Sequence, residues 1–153
     1  MDIIRLVISI VLCQLVGFLG SIPNRTAISR WYSKIRKPSF NPPNWVFGPV
    51  WTFLYLLMGI SLYLVWTSER LVSIALIVFF IQLFLNFLWS IIFFGMKKPL
   101  LSFLEIIVLW ASILVSISIF YGISNVAAYL LIPYILWVSF AAVLNFSIWQ
   151  LNK

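Results

Sequence analysis

Any chemistry in this chain has to be carried by aromatic rings, because the usual catalytic side chains are almost absent. The 153 residues contain no His, one Cys (Cys13) and three acids (Asp2, Glu69 and Glu105), against 8 Trp, 6 Tyr and 14 Phe. That inventory excludes Ser/His/Asp and Cys/His catalysis, His-ligated haem or zinc, Cys clusters and a disulfide within one chain. Paired-carboxylate hydrolysis is excluded too, since Asp2 and Glu69 fall at span ends. Glu105 stands alone within a span, about two turns from Lys97 and Lys98. That position suits an interfacial acid with a basic or backbone partner better than a proton relay. No metal site is expected and no cofactor is required.

Amides and small residues recur at helical spacing. Gln82, Asn86 and Ser90 lie four apart with Trp89 beside them; Tyr134, Trp137, Ala141 and Asn145 form a second stripe, and Gln14, Gly17, Ser21 and Arg25 a third. Polar groups in hydrocarbon need partners, so each stripe should face the bundle interior or a cavity. Two readings stay open. The amides either glue helices together, at about 0.6–2 kcal/mol each, or line a pocket in which Ala141 and Ala142, one turn from Trp137, leave volume for a flat ligand. Trp31, Trp45, Trp66 and Trp149 fall at span ends and suit an interfacial belt. Trp51 sits about 9 Å deeper than Trp45 along a helix axis, and Trp137 is mid-span, so these two are the candidates for catalysis. Trp110 is also deep, with only Ser112 and Ser116 as polar company.

The elements that must position these residues follow from composition. With 64% hydrophobic and 8% charged residues, against about 45–50% and about 25% in soluble domains, a soluble globule is excluded. Runs such as Ile74–Ile81, apolar at every residue, exclude an alternating β-barrel. The expected fold is all-α, a single-domain integral membrane bundle of five transmembrane helices at about 5–25, 45–66, 71–94, 100–121 and 125–149.

Only the connection 26–44 is long enough to do more than turn the chain. Arg25, Arg30, Lys34, Arg36 and Lys37 lie in or beside it, and Lys97, Lys98 and Lys153 share its side, against Arg5 and Arg70 opposite. The expected orientation is loop one and the C-terminus in the cytoplasm, N-terminus outside. Asp2 offsets Arg5 and no small-x-small cleavage site follows, so the first span reads as retained; Gly17 and Ser21, with Gly20 beside them, suit close helix packing. Pro38, Pro42 and Pro43 make Lys37–Pro49 a semi-rigid strap, with Asn44 as N-cap of the second helix and Pro49 as an early bend. Such a strap can close over an amphipathic ligand bearing carboxylates, or serve only topology and contact with anionic lipid. No nucleic-acid partner is expected.

The run Lys37-Pro38-Ser39-Phe40-Asn41-Pro42-Pro43-Asn44-Trp45, continuing through Phe47-Gly48-Pro49 to Trp51-Thr52-Phe53-Leu54-Tyr55, resembles the signature of the translocator protein family, also called tryptophan-rich sensory proteins or peripheral benzodiazepine receptors. Asn86-Phe87-Leu88-Trp89-Ser90 with Lys98-Pro99, and Pro133-Tyr134 with Trp137, Ala141-Ala142 and Asn145, resemble its third-span and fifth-span blocks. The resemblance implies five helices and a pocket under loop one that binds porphyrins, sterols and benzodiazepine-type drugs; the semi-polar faces place that pocket between the first, second, third and fifth helices, toward the cytoplasmic side. With the stripes, it gives a candidate ligand-binding set of Gln14, Ser21, Tyr32, Pro42, Trp51, Tyr55, Gln82, Asn86, Trp89, Ser90, Tyr134, Trp137, Ala141, Ala142 and Asn145. It also implies a homodimer through span three, although Ala75-x-x-x-Phe79 offers only one small residue. At the sterol-motif positions stand Phe146 and Gln150, which counts against sterol transport and favours a tetrapyrrole-binding member in a bacterial cell membrane. The expected activity is light-dependent oxidative degradation of protoporphyrin, with Trp51 and Trp137 nearest the ring. Transport of porphyrins or lipids without catalysis, and a ligand-sensing stress regulator, are the alternatives.

Overall fold

The computed structural model describes residues 1–68 and 73–153; the expected start of the third span at 71, with Glu69 and Arg70, lies outside them. Five helices are long and apolar enough to cross a membrane: α1 Ile3–Tyr32, α2 Asn44–Trp66, α3 Ser73–Gly95, α4 Pro99–Tyr121 and α5 Asn125–Leu151. No strand occurs among the described residues. The expected all-α five-span bundle is therefore the fold, as it must be where only helices satisfy their own backbone.

Local signals set most helix ends. The Asp2 carboxylate accepts from the Arg5 N–H at 3.1 Å, Pro99 occupies the first turn of α4, and Ser124 Oγ accepts from the Ala127 N–H at 3.3 Å. Pro133 lacks a donor and crowds the preceding turn; α5 breaks at Leu131 into Asn125–Leu130 and Ile132–Leu151.

Two expectations at loop one are corrected. The first helix does not end near 25 but continues through a widened π-type turn, Ile28–Tyr32, because aromatic packing holds it. Trp31 meets Phe93 at 5.6 Å and Tyr32 meets Phe94 at 5.7 Å, and Phe93 and Phe94 sit in a matching widened turn, Ile91–Gly95, at the end of α3. The strap thus shrinks to residues 33–43. Asn44 is not an N-cap: it is the first residue of α2, preceded by Pro43, with no side-chain capping bond.

The helices form a ring in which α1 touches α2 and α3, α4 touches α3 and both halves of α5, and α2 touches the first half of α5. Met58, Phe79, Ile113, Phe120 and Tyr134 are fully buried in the half of the bundle away from loop one. There Phe79 stacks on Phe120 at 5.8 Å and Ser61 Oγ donates to the Ala127 carbonyl at 2.7 Å. The outer faces are apolar, with Ile74, Ile77, Phe84 and Leu136 all exposed, as a lipid solvent requires. Ala75 and Phe79 are buried inside the protomer, so that face of span three is not available to a second copy. Glu105 was expected to have a basic or backbone partner; instead both carboxylate oxygens are buried without a hydrogen bond.

Gly17 and Ser21 do not form one helix-packing face. Gly17 abuts the Tyr55 ring, whereas Ser21 Oγ donates to the Phe18 carbonyl at 2.7 Å. The backbones of α1 and α2 come close at Gly59, where an added Cβ would come within 2.7 Å of Ile10 Cα. Gly59→Ala must push α1 and α2 apart and is expected to lower the thermal unfolding midpoint in detergent. Gly48→Ala meets nothing within 4 Å and should hold or raise the midpoint, since helix propensity favours Ala by roughly 0.5–1 kcal/mol. Equal losses in the two variants would refute the packing account.

Candidate functional site

Where α2 and the second half of α5 draw apart, the bundle opens a cavity of about 520 Å³ towards loop one, within the size range of small-molecule sites. Each helix that builds it contributes one face. On α2, Asn44, Phe47, Gly48, Trp51, Thr52 and Tyr55 lie at i, i+3, i+4, i+7, i+8 and i+11 and all line the cavity. On α1 the stripe Gln14, Gly17, Ser21, Arg25 extends by two turns to Ile28 and Tyr32. From α3 come Asn86, Trp89, Ser90, Phe93 and Phe94, and from α5 Trp137, Ala141, Leu144, Asn145 and Ile148. Three indoles, Trp51, Trp89 and Trp137, therefore face one space, with the exposed Trp45 at its rim.

The walls are held from behind by hydrogen bonds. Tyr55 donates its hydroxyl proton to Asn86 Oδ1 at 2.6 Å, Asn86 Nδ2 donates to the Tyr134 hydroxyl at 2.7 Å, and Tyr134 donates to Gln82 Oε1 at 2.8 Å. This run fixes α2, α3 and α5. Trp89 Nε1 donates to Asn145 Oδ1 at 3.0 Å, and Asn145 Nδ2 to the Pro99 carbonyl at 2.7 Å, so the Trp89 plane is set by α5 and α4. Gln14 Nε2 donates to the Thr52 carbonyl at 3.0 Å. Two wall atoms stay unsatisfied: Trp137 Nε1 and Asn24 Oδ1 are buried without a partner. A ligand with an acceptor beside the first and a donor beside the second would relieve both.

Loop one is tied down at three points. Tyr32 donates to Asn41 Oδ1 at 2.6 Å. Lys37 Nζ donates to the Tyr32 and Ile35 carbonyls at 2.6 and 3.2 Å and lies over the Tyr32 ring at 4.9 Å. Asn152 pairs with the Arg36 backbone in both directions, at 2.9 and 2.8 Å. Lys37 is thus a strut rather than a free cation, and Arg30, Lys34 and Arg36 do not line the cavity. Arg25 does.

Of the expected set, Gln14, Ser21, Tyr32, Trp51, Tyr55, Asn86, Trp89, Ser90, Trp137, Ala141 and Asn145 line the cavity, and Pro42, Gln82, Tyr134 and Ala142 do not. Gln82 and Tyr134 lie one shell behind, in the hydrogen-bonded run, while Ala142 is turned into the core. Trp110 has a partner missed in the sequence, since its Nε1 donates to Ser139 Oγ at 2.8 Å away from the cavity. Missed wall residues are of two kinds. Phe47, Thr52, Leu144 and Ile148 continue stripes already begun at Trp51 and Trp137, so carrying the period further would have found them. Phe93 and Phe94 lie within a widened turn that breaks the period, and no sequence signal marks it.

A family model described as the TspO/MBR family matches residues 9–150. The chain is 45% identical over 157 residues to the Tryptophan-rich protein TspO of Archaeoglobus fulgidus, covering 99% of each chain. It is 35% identical over 145 residues to Protein CrtK of Rhodobacter capsulatus, covering 93% of this chain and 89% of that one. With the Translocator protein of Homo sapiens it shares 37% identity over 129 residues, 80% of this chain and 75% of the human one.

The hydrogen-bond pattern makes two aromatic substitutions differ in cost. Tyr134→Phe strands Asn86 Nδ2 and Gln82 Oε1 in the core and should destabilise the ligand-free protein by about 1–3 kcal/mol. Trp137→Phe removes a donor that already lacks a partner and should leave the unfolding midpoint nearly unchanged. A drop with Trp137→Phe as large as with Tyr134→Phe would show that its indole N–H is bonded.

Proposed function

We propose that this chain, which belongs to the TspO/MBR family, binds a flat tetrapyrrole of the protoporphyrin class in the cavity and promotes its light-dependent oxidation. The carrying observation is the convergence of Trp51, Trp89 and Trp137 on one space of ligand size, with Arg25 on its lining. Indole faces suit a flat conjugated ring, Arg25 suits a propionate carboxylate, and the Trp137 N–H suits an acceptor on the ligand. The same cavity suits benzodiazepine-type molecules, which carry aromatic rings and are largely apolar. The cations gathered around loop one and the C-terminus favour the cytoplasmic side for the cavity mouth.

In the proposed reaction light supplies the energy and dioxygen is the oxidant. The excited ring transfers energy or an electron to oxygen, oxygen adds to the ring carbons, and the macrocycle opens. The protein binds the ring, excludes bulk water and holds the intermediates. Trp51 and Trp137 are the catalytic candidates because an indole in contact with the oxidised ring can exchange an electron with it, whereas a phenyl ring resists oxidation.

Binding and chemistry can be separated. Trp51→Phe and Trp137→Phe keep a stacking surface and should cost less than about tenfold in protoporphyrin affinity, yet lose most of the light-driven degradation. Trp110→Phe, off the cavity, should change neither binding nor degradation by much. If both cavity variants degrade bound porphyrin at the wild-type rate, the two tryptophans are only pocket walls; if the illuminated complex yields only the products of free porphyrin bleaching, the protein is a binder or transporter without catalysis. Neutralising the lining cation separates ligand types: Arg25→Gln should weaken protoporphyrin by about three- to tenfold, a discounted charge-assisted contact at an exposed site, and leave its uncharged dimethyl ester unaffected. Equal losses for acid and ester, measured by fluorescence quenching, would remove Arg25 from ligand recognition.

A further inference from the structure

A second cleft, of about 210 Å³, lies on the flank of α1 turned away from Ser21, Arg25 and Ile28. Pro23, Thr26 and Arg30, at i, i+3 and i+7, form one side and Gly95 and Lys97 the other, with Phe94 between this cleft and the large cavity. The space exists because Gly95 has no side chain facing Pro23, and because the chain reverses at Lys97 in a left-handed conformation, φ 57°. That conformation is uncommon for a lysine, and here it leaves the residue on the cleft opposite Arg30.

Neither cation is neutralised. Arg30 and Lys97 are exposed, and the one ion pair among the described residues is Asp2 with Arg5, at the opposite end of α1. Two unpaired cations on a concave surface attract an anion. The cleft lies at the ends of two apolar spans, and below it on the same flank of α1 the exposed side chains are Leu15, Leu19 and Ile22. An anion that also carries acyl chains matches both parts. Arginine offers a fork of donors to phosphate oxygens and lysine a mobile point charge, and basic pockets between spans suit anionic headgroups.

We propose that this cleft binds the phosphate of an anionic phospholipid headgroup between Arg30 and Lys97, with the acyl chains laid along Leu15, Leu19 and Ile22. The bound lipid bridges the end of α1 to the turn between α3 and α4. The site is separate from the large cavity and does not depend on what that cavity binds.

The test uses the full chain in neutral detergent, with lipid retention read by native mass spectrometry during titration with phosphatidylglycerol, phosphatidylcholine of the same chains, or glycerol 3-phosphate. Phosphatidylglycerol should be retained about tenfold better than phosphatidylcholine, and Arg30→Gln with Lys97→Gln should abolish the preference. Lys34→Gln with Lys153→Gln, which removes two charges from the same end outside the cleft, should preserve it. Gly95→Leu keeps every charge and fills the cleft, so it should lose retention as well; its added Cβ meets Ile91 and Pro23 at an ordinary 3.8 Å, which keeps the fold within reach should the charge variant not fold. No preference in the wild type, or equal loss in the cleft and control pairs, would overturn the proposal. Full competition by glycerol 3-phosphate would overturn the lipid assignment in favour of a free phosphate ester.

Discussion

The run of hydrogen bonds from Tyr55 through Asn86 and Tyr134 to Gln82 is the constraint on which the rest of the bundle depends. Apolar surface gives helices in hydrocarbon no reason to prefer one neighbour over another, because lipid tails are as apolar as Leu. Specificity has to come from polar groups that no lipid can satisfy, and from close contacts that only small residues allow. Here a single run joins three helices, so their rotation and depth are set together. Gly59 against Ile10 and Gly17 against Tyr55 then register α1 on the assembly. The Tyr55 ring is fixed at both ends, by its hydroxyl on Asn86 and by the Gly17 backbone against its edge.

With those positions fixed, the cavity results from what α2 and α5 cannot do. The break of α5 at Leu131 lets its first half pack on α2 while its second half turns towards α4. Trp51 and Trp137 stand on either side of the gap. Trp89 is kept from closing it by Asn145, itself held by the Pro99 carbonyl. The Trp89 side of the space is therefore maintained by directional bonds, and that indole is presented with its plane already set.

The fold was legible in the sequence because a membrane leaves few options: five apolar runs could only become five helices, and basic residues gathered at one end. The polar stripes were legible for the same reason, since Asn86, Gln82 and Tyr134 had no other place to go. What they touch was not. Periodicity gives the face of a helix but not its depth in the bundle, so Gln82 and Tyr134, on the same faces as cavity residues, lie behind the wall. The end of α1 was misplaced because charge was read as a loop signal, whereas Arg30 sits on a helix that ring packing of Trp31 on Phe93 carries onward. Asn44 looked like a cap by residue type, but Pro43 before it and the helical start at Asn44 itself leave its side chain facing the cavity. The Gly59 contact escaped notice because a lone glycine in an apolar run gives no hint of which backbone it meets.

The filled half of the bundle has a consequence for traffic. Beneath the cavity Met58, Tyr134, Ile113 and Phe120 close the way with side chains that are wholly buried, and the α1–α2 seam is locked at Gly59. The cavity is a cup and not a tunnel: its mouth faces loop one, and its floor is closed by packed side chains, so no path runs through the bundle from one end to the other.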